Sequence, residues 1–218
     1  WEEDSRVGNV DVIDWVIIVE ESTEFAMYDS NELDWSRVPS DQIELVFGEG
    51  SDYGDEGKIA PDVCTYYYGF ITQKEAVSDV NVRRALSMAI DRKTLVEQVT
   101  QGGQIPANTF TNPLMFGTVA EDPEVAPWAL TEEQGGLGYE AALEMAKELM
   151  AEAGYADGAG LNLTLGHNVS EGHARIAQAV QAMWTAAFPQ MTVDIQTQEW
   201  GVYLDAINND APMDGKPD

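Results

Sequence analysis

The chain has 218 residues, of which 44% are hydrophobic and 23% charged, a composition that is ordinary for a globular protein and excludes wholesale disorder. Its 39 acidic and 11 basic residues leave a net charge of −28, so its surface would repel nucleic acid. No run of about 18 apolar residues occurs, and no helix is therefore expected to span a membrane.

The first quarter of the sequence alternates β-type, helical and loop patterns. Residues 10–19 are rich in Val and Ile, which predicts a strand. A short helix and an extended segment are expected next. Ser40 and Asp41 are predicted to cap a brief helix over residues 42–47. The Gly-rich, acidic stretch 48–57 is typical of an exposed loop.

A tyrosine-rich segment follows. Residues 62–72, DVCTYYYGFIT, are predicted to form a second strand. Cys64 is the single cysteine, so no internal disulfide can form, and its position predicts a buried, inert thiol. Because side chains alternate along a strand, Tyr67 is expected to face away from Tyr66 and Tyr68.

A basic cluster stands out in this acidic chain: four of its 11 basic residues lie within residues 78–96, namely Arg83, Arg84, Arg92 and Lys93. Asp79 precedes apolar residues at helical spacing and is a good N-cap, which predicts a helix with Leu86 buried. Asp91 is predicted to cap a second helix. Its inward residues would be Leu95, Val96 and Val99.

The second half of the chain carries the clearest periodicity. Residues 104–138 are expected to be mostly loop, and the helix after them is predicted to end at Gly154. Its inward face would comprise Ala142, Met145, Leu149 and Ala153. Residues 161–198 show the patterns of a strand, a helix and a second strand in that order, which predicts two parallel strands joined by a crossover helix. A last helix is expected over residues 199–208, and a further strand beyond Asp218.

Six motifs in this order resemble one family. They are NELDWSRVP, TYYYGFITQK, SDVNVRRALSMAIDRKTLV, AKELMAEAGY, IAQAVQAMW and QEWGVYL. Together they are similar to the peptide-binding proteins of ABC importers, the oligopeptide and dipeptide class of extracytoplasmic solute-binding proteins. The sequence departs from the family at Asn31, where a glycine is usual, and at Ala76-Val77, where the family has Pro-Phe.

The resemblance implies an α/β fold of the periplasmic-binding-protein type, mostly the second lobe, with a β-α-β unit and a mixed sheet. Residues 1–61 would be the tail of a first-lobe segment. Residues 62–218 would be most of the second lobe, ending before the strand whose aspartate holds the peptide's amino terminus. Both ends are expected to be cut from something longer. The basic cluster would be framework, its arginines pairing with acids and with helix C-terminal carbonyls.

The function implied by the resemblance is capture of oligopeptides or dipeptides outside the membrane, in the periplasm or at the cell surface. The expected partners are the peptide and the ABC permease subunits. The protein would be a monomer, lipid-anchored at full length, with no cofactor. Tyr67, Asn168 and His173 match cleft-side positions and are the candidate ligand-binding residues. Two alternatives stay open: the same fold with a nickel chelate, oligosaccharide or opine, or a lobe kept for protein–protein interaction.

Other chemistry finds little support in the sequence. His167 and His173 flank Glu171, but their spacing is not that of a known zinc motif, so no metal site is predicted. His173 could instead be a loop histidine that caps the following helix. Trp200 is predicted to lie in the core. No nucleophile motif or phosphate-binding loop occurs, so no catalytic residues and no enzyme activity are expected.

Overall fold

The computed structural model describes residues 10–60, 62–112, 115, 122, 124–125, 127–208 and 216–218. They belong to two compact units, one within Trp1–Arg37 and the other within Val38–Asp218. The helices are α1 (Glu21–Asp29), α2 (Ile43–Phe47), α3 (Glu75–Ser78), α4 (Val80–Met88), α5 (Arg92–Thr94), α6 (Gly138–Glu152), α7 (Glu171–Ala187) and α8 (Trp200–Ile207), and the strands are β1 (Asn162–Asn168) and β2 (Thr192–Gln198). A π-helical turn at Leu95–Thr100 extends α5, and 3-10 turns lie at Ser40–Gln42, Pro127–Ala129, Glu132–Gln134 and Ala156–Gly158.

The smaller unit is organised around the first helix. Glu24 of α1 is buried and accepts hydrogen bonds from Arg37, through Nη2 at 2.8 Å and the main-chain N–H at 3.2 Å. The predicted strand over 10–19 is wrong: these residues have no regular secondary structure, and most of their apolar side chains are exposed. A strand needs a neighbour for its backbone groups, and the described residues provide none.

The β-α-β prediction is confirmed in the larger unit. The two strands pair in parallel, from Asn162 opposite Thr192 to Asn168 opposite Gln198, and α7 is the crossover between them. Alternate residues of β1 are buried, as expected for a strand with one face on the core. The core between α7 and the strands includes Leu163, Leu165 and Val193 of the strands and Ile176, Val180 and Trp184 of α7.

A second helical layer completes this core. Leu86 of α4 is fully buried, as predicted, and α4 lies against α6. The buried residues of α6 are Ala142, Ala146 and Met150. Met145, which was expected on this face, is 39% exposed, so that part of the prediction is wrong. The buried face of α6 is therefore shifted by about one residue from the predicted one, and it packs on α4.

Capping follows the sequence in α4 and α5 but not in α2. The Asp79 carboxylate accepts from the Asn81 N–H at 2.6 Å, and the Asp91 carboxylate accepts from the Thr94 N–H at 3.0 Å, as predicted. Ser40 and Asp41 do not cap α2, which is a correction. Their side chains accept hydrogen bonds from the Arg175 guanidinium instead.

The basic cluster serves as framework through main-chain carbonyls. Arg83 donates to the carbonyl oxygens of Val77 and Ser78 at 2.8 and 2.7 Å, at the C-terminal end of α3. Arg92 donates to the Ser87 carbonyl at 3.0 Å near the end of α4, and burial lowers its pKa. The predicted contacts with helix C-terminal carbonyls are therefore confirmed. The predicted pairing with acids is not, because no ion pair of the cluster is found among the described residues.

The tyrosine-rich segment does not form the predicted strand. Residues 62–72 have no regular secondary structure where described, and the Ile71 N–H donates to the Asp218 carbonyl at 2.8 Å. Cys64 is exposed, so the prediction of a buried thiol is wrong. The only sheet within the described residues is the parallel pair, and the predicted mixed sheet is not observed there.

The long loop predicted over 104–138 is partly described. Its described residues include two short 3-10 helices, while residues 113–114, 116–121, 123 and 126 lie outside the described part, as do 1–9, 61 and 209–215. Of the helices in the described part, none has both the length and the apolar character needed to cross a bilayer.

Candidate functional site

A cavity of about 940 Å³ lies within the larger unit. The tyrosine-rich segment forms one wall, strand β1 lies along its floor, and α8 and the segment Lys216–Asp218 close other sides. The cavity includes His167 and Asn168 at the carboxyl end of β1, and the first turn of α7 beside it. In open α/β folds, ligands bind at this end of the strands.

An aromatic cluster dominates one side of the cavity. The Tyr66 ring lies edge-on to Tyr68, with ring centroids 5.9 Å apart, and 5.5 Å from the His173 imidazole. Trp200 stacks on Tyr203 of α8 at 6.1 Å. Such rings offer large, rigid surfaces with a polar edge, which suits binding of mixed apolar and polar ligands.

All three candidate residues from the sequence line this cavity. Tyr67 is 63% exposed, and its ring contacts that of Phe110. The predicted alternation is not observed, because the segment is not a strand and Tyr66 and Tyr68 line the same cavity. Asn168 ends β1, and its side-chain N–H donates to the Val169 carbonyl at 3.3 Å. His173 lies in the first turn of α7, where its Nδ1 is 3.0 Å from the Tyr66 hydroxyl.

The Tyr68 hydroxyl is a buried polar group in the cavity wall. It has no hydrogen-bond partner within the described part of the chain. Burial raises the pKa of Tyr68 well above its ordinary value of 10.0, and the neighbouring Tyr66 phenol adds to the rise. Burial also raises the pKa of Tyr66. Both phenols therefore stay protonated in neutral solution, and Tyr68 can donate to an acceptor that enters the cavity.

The two histidines have different surroundings. His167 is buried, and its Nδ1 donates to the Asn168 carbonyl at 2.8 Å, since a carbonyl can only accept. In the neutral ring its Nε2 then accepts from the Thr197 hydroxyl at 3.1 Å. Both ring nitrogens are used, so His167 offers none to a metal. His173 does not cap α7 with its ring: the Ser170 hydroxyl accepts from the His173 main-chain N–H at 3.3 Å.

Several cavity residues were missed at the level of sequence. Trp200 was expected in the core, but it is 55% exposed and lines the cavity, so that prediction is wrong. The signal was its spacing with Tyr203, Leu204 and Ile207, which places all four on one face of α8. That face borders the cavity instead of packing into the core cluster.

A parallel β-α-β core with a ligand-sized cavity at the carboxyl end of its first strand defines one lobe of a periplasmic-binding-protein-like fold. Residues 1–214 match the description of the bacterial extracellular solute-binding proteins, family 5 middle region. The chain belongs to this family, which confirms the resemblance drawn from the six motifs.

Individual relatives agree. The chain is 32% identical over 198 residues to the periplasmic oligopeptide-binding protein OppA of Salmonella typhimurium, covering 90% of this chain and 34% of that protein. The structure of the Escherichia coli murein tripeptide-binding protein MppA superposes with a TM-score of 0.74 at 34% identity, over 87% of this chain and 35% of MppA. The structure of Haemophilus influenzae OppA in complex with the peptide RPPGFSPFR superposes with a TM-score of 0.70 at 26% identity. The match covers 86% of this chain and 35% of that protein. The chain thus spans about a third of the length of these relatives, which are named as binding proteins, not enzymes.

Proposed function

We propose that these residues form one wall of the ligand cleft of a peptide-binding protein that serves an ABC importer. The observation that carries the proposal is the cavity at the end of β1, where Tyr67, Asn168 and His173 come together. The names of the relatives support peptide as the ligand class. Because they are about two and a half times as long as this chain, the proposal concerns a longer protein that contains it.

The residues of this wall have the chemistry for main-chain recognition. The Asn168 amide can donate and accept, as a peptide unit requires, and the protonated hydroxyl of Tyr68 can donate to a carbonyl. Tyr67 and Trp200 offer ring surfaces to side chains. Main-chain hydrogen bonds with side chains in roomy pockets give broad sequence selectivity. Ligand would then shift a hinge equilibrium between two lobes toward the closed state.

The location and partners follow from the same proposal. A protein of this kind would work outside the cytoplasmic membrane, as the periplasmic relatives do by name. We infer a monomer, held by a lipid anchor at full length, that delivers peptide to the permease subunits. Residues 1–61 would belong to the first lobe and 62–218 to the second.

Calorimetry on the full-length protein tests the proposal. Tri- to pentapeptides are expected to bind with about micromolar dissociation constants, whereas a nickel chelate, an oligosaccharide and an opine should not bind. Asn168→Ala should weaken peptide binding, and Asn162→Ala, at the other end of β1 and exposed, is the matched control. A preference for one of the non-peptide ligands would overturn the assignment of peptide.

The 218-residue chain by itself provides a second test. It supplies one wall, so neither the opposite wall nor exclusion of water contributes to affinity. It should fold, because its β-α-β core is buried, yet show no measurable peptide binding by calorimetry. A micromolar dissociation constant for this chain alone would show that the ligand site has been placed on the wrong residues.

A further inference from the structure

Two tripeptides on strand β1 match Asn-x-Ser/Thr, the acceptor sequence for N-linked glycans. They are Asn162-Leu163-Thr164 and Asn168-Val169-Ser170. The two asparagines lie at opposite ends of the strand, about 20 Å apart at a rise of about 3.3 Å per residue. So short a pattern also arises by chance, and the surroundings of each asparagine therefore decide what it means.

The tripeptide that begins at Asn168 has a structural explanation. Ser170 is the N-cap of α7, and its hydroxyl accepts from the His173 main-chain N–H at 3.3 Å. Asn168 is partly buried, lines the cavity, and donates from its amide to the Val169 carbonyl at 3.3 Å. A glycan on Asn168 would fill the cavity in which the ligand is proposed to bind. The capping of α7 thus accounts for Ser170, and the cavity argues against a sugar on Asn168.

The tripeptide that begins at Asn162 has no such explanation. Asn162 is the exposed first residue of β1, and the described lining of the cavity does not include it. Its amide nitrogen lies 3.5 Å from the Gly160 carbonyl, at the long limit of a hydrogen bond. The main-chain groups of Thr164 are both bonded to Asp218, but its hydroxyl has no partner among the described residues. Neither polar side chain is therefore needed to hold the fold.

The space beside Asn162 is open. The chain enters β1 from the 3-10 turn Ala156–Gly158 through Gly160, which has a φ of +80°. A Cβ built on Gly160 would meet no atom within 4 Å. Because the Asn162 amide lies next to the carbonyl of this residue, a bulky group on its nitrogen can extend into solvent without displacing a neighbour.

We propose that Asn162 carries an N-linked glycan and that Asn168 does not. The inference rests on the proposed function for one point, the location outside the cytoplasmic membrane. The donor would be a sugar linked to a lipid phosphate or pyrophosphate. Nδ2 of Asn162 forms a bond to the anomeric carbon of that sugar, and the bond from this carbon to the phosphate oxygen breaks. The phosphate leaves with the electron pair and takes up the proton that the amide loses. Thr164 supplies the hydroxyl that the acceptor sequence requires.

Mass spectrometry of the full-length protein, purified from the cells that produce it, tests the inference. Both tripeptides fall within the tryptic peptide 148–175, because Lys147 and Arg175 are the basic residues that flank them. Electron-transfer fragmentation is therefore needed to assign the sugar to one asparagine. The sugar mass is expected on Asn162, with Asn168 unmodified.

Variants produced in the same cells distinguish acceptor-sequence recognition from chance attachment. Thr164→Val keeps Asn162 but removes the hydroxyl, so it should lose the sugar completely, as should Asn162→Gln. Thr164→Ser and Asn168→Gln should retain it. A wild type without sugar, a sugar on Asn168, or a sugar that persists in Thr164→Val would each overturn the inference.

Calorimetry with tri- to pentapeptides on the same preparations separates this inference from the proposed function. Asn162→Gln should bind peptide with the affinity of the wild type, because the glycan lies at the end of β1 away from the ligand. A wild type that carries the sugar on Asn162 but binds no peptide would refute the proposed function and leave the glycan assigned. A wild type that binds peptide but carries no sugar would refute the glycan alone.

Discussion

The indole Nε1 of Trp184 donates a buried hydrogen bond to the carbonyl oxygen of Leu86 at 2.8 Å. This bond joins the crossover helix α7 to α4, two elements separated by 98 positions in sequence. It also takes up a carbonyl near the C-terminal end of α4, where helix carbonyls have no partner within the helix.

Trp184→Phe is expected to lower the free energy of unfolding by about 1–3 kcal/mol, because the buried Leu86 carbonyl is left without its donor. Denaturant unfolding followed by circular dichroism measures the loss. Trp200→Phe removes an indole that is 55% exposed and should change stability little. Equal effects of the two substitutions would argue against a stabilising role for the hydrogen bond.

Leu86→Ala should destabilise the protein by about 2–5 kcal/mol, since it opens a cavity in the core. Leu86 is fully buried, whereas Leu45 is 51% exposed and gives the control Leu45→Ala. The midpoint of urea unfolding is the measurement. If Leu86→Ala unfolds at the same urea concentration as the wild type, the inward position of this side chain is wrong.

Asp91→Ala should cost about 1 kcal/mol, because the Thr94 N–H loses the carboxylate that caps α5. The Thr94 hydroxyl loses the same partner, at 2.5 Å. Asp91→Asn, whose side-chain oxygen can still accept, should recover most of the loss. An alanine variant as stable as the asparagine variant would show that the cap contributes nothing.

Local patterns in the sequence predicted most of the structure that neighbours along the chain decide, although the predicted cap of α2 by Ser40 and Asp41 was wrong. The caps at Asp79 and Asp91 and the β-α-β unit depend on short-range hydrogen bonds and on periodicity, which the sequence displays directly. The segments 10–19 and 62–72 failed for the opposite reason. Their composition favours strands, but a strand forms only beside a partner strand. The composition of a segment does not show where such a partner lies.

The candidate site was predictable only in part, for a similar reason. Tyr67, Asn168 and His173 came from the family resemblance, and all three line one cavity. Trp200 was assigned to the core because tryptophan is usually buried, yet its helix borders the cavity. Lys216 gave no local signal, since the burial of a charge depends on the packing of segments distant in sequence.

Alkaline solution should destabilise the protein through its buried phenols. Burial raises the pKa of Tyr66 and Tyr68 in the folded state, so the unfolded chain releases these protons first, from about pH 10 upward. The unfolded state then binds fewer protons than the native state, and stability falls as pH rises above that value. Tyr68→Phe should reduce the slope.

The measurement pairs unfolding curves at several alkaline pH values with the ultraviolet absorbance of tyrosinate. In the native protein some of the eight tyrosines should titrate later than they do in denaturant. Tyr68→Phe should also leave stability near neutral pH unchanged or slightly higher, because the hydroxyl that it removes has no partner among the described residues. Native and denatured titrations that coincide would refute the burial of these phenols.

Salt should stabilise the protein. The chain carries 39 acids against 11 bases, and among the described residues four cations, Lys74, Arg83, Arg92 and Lys216, donate to main-chain carbonyls. The ion pairs found there involve Arg37, Lys147 and Arg175. Most carboxylates are therefore left without a cation, and their mutual repulsion opposes the compact state.

An increase in sodium chloride from 0.1 to 1 M shortens the screening length from about 10 Å to about 3 Å, which should weaken this repulsion. A gain of about 1 kcal/mol would raise the melting temperature by roughly 2–4 °C in a protein of this size. The triple variant Glu133→Gln, Glu140→Gln and Glu148→Gln removes three exposed negative charges, and it should melt higher than the wild type at low salt and gain less on addition of salt. Scanning calorimetry of both proteins at each salt concentration measures the difference. A melting temperature that stays flat or falls with salt would mean that the acidic surface does not limit the stability of this fold.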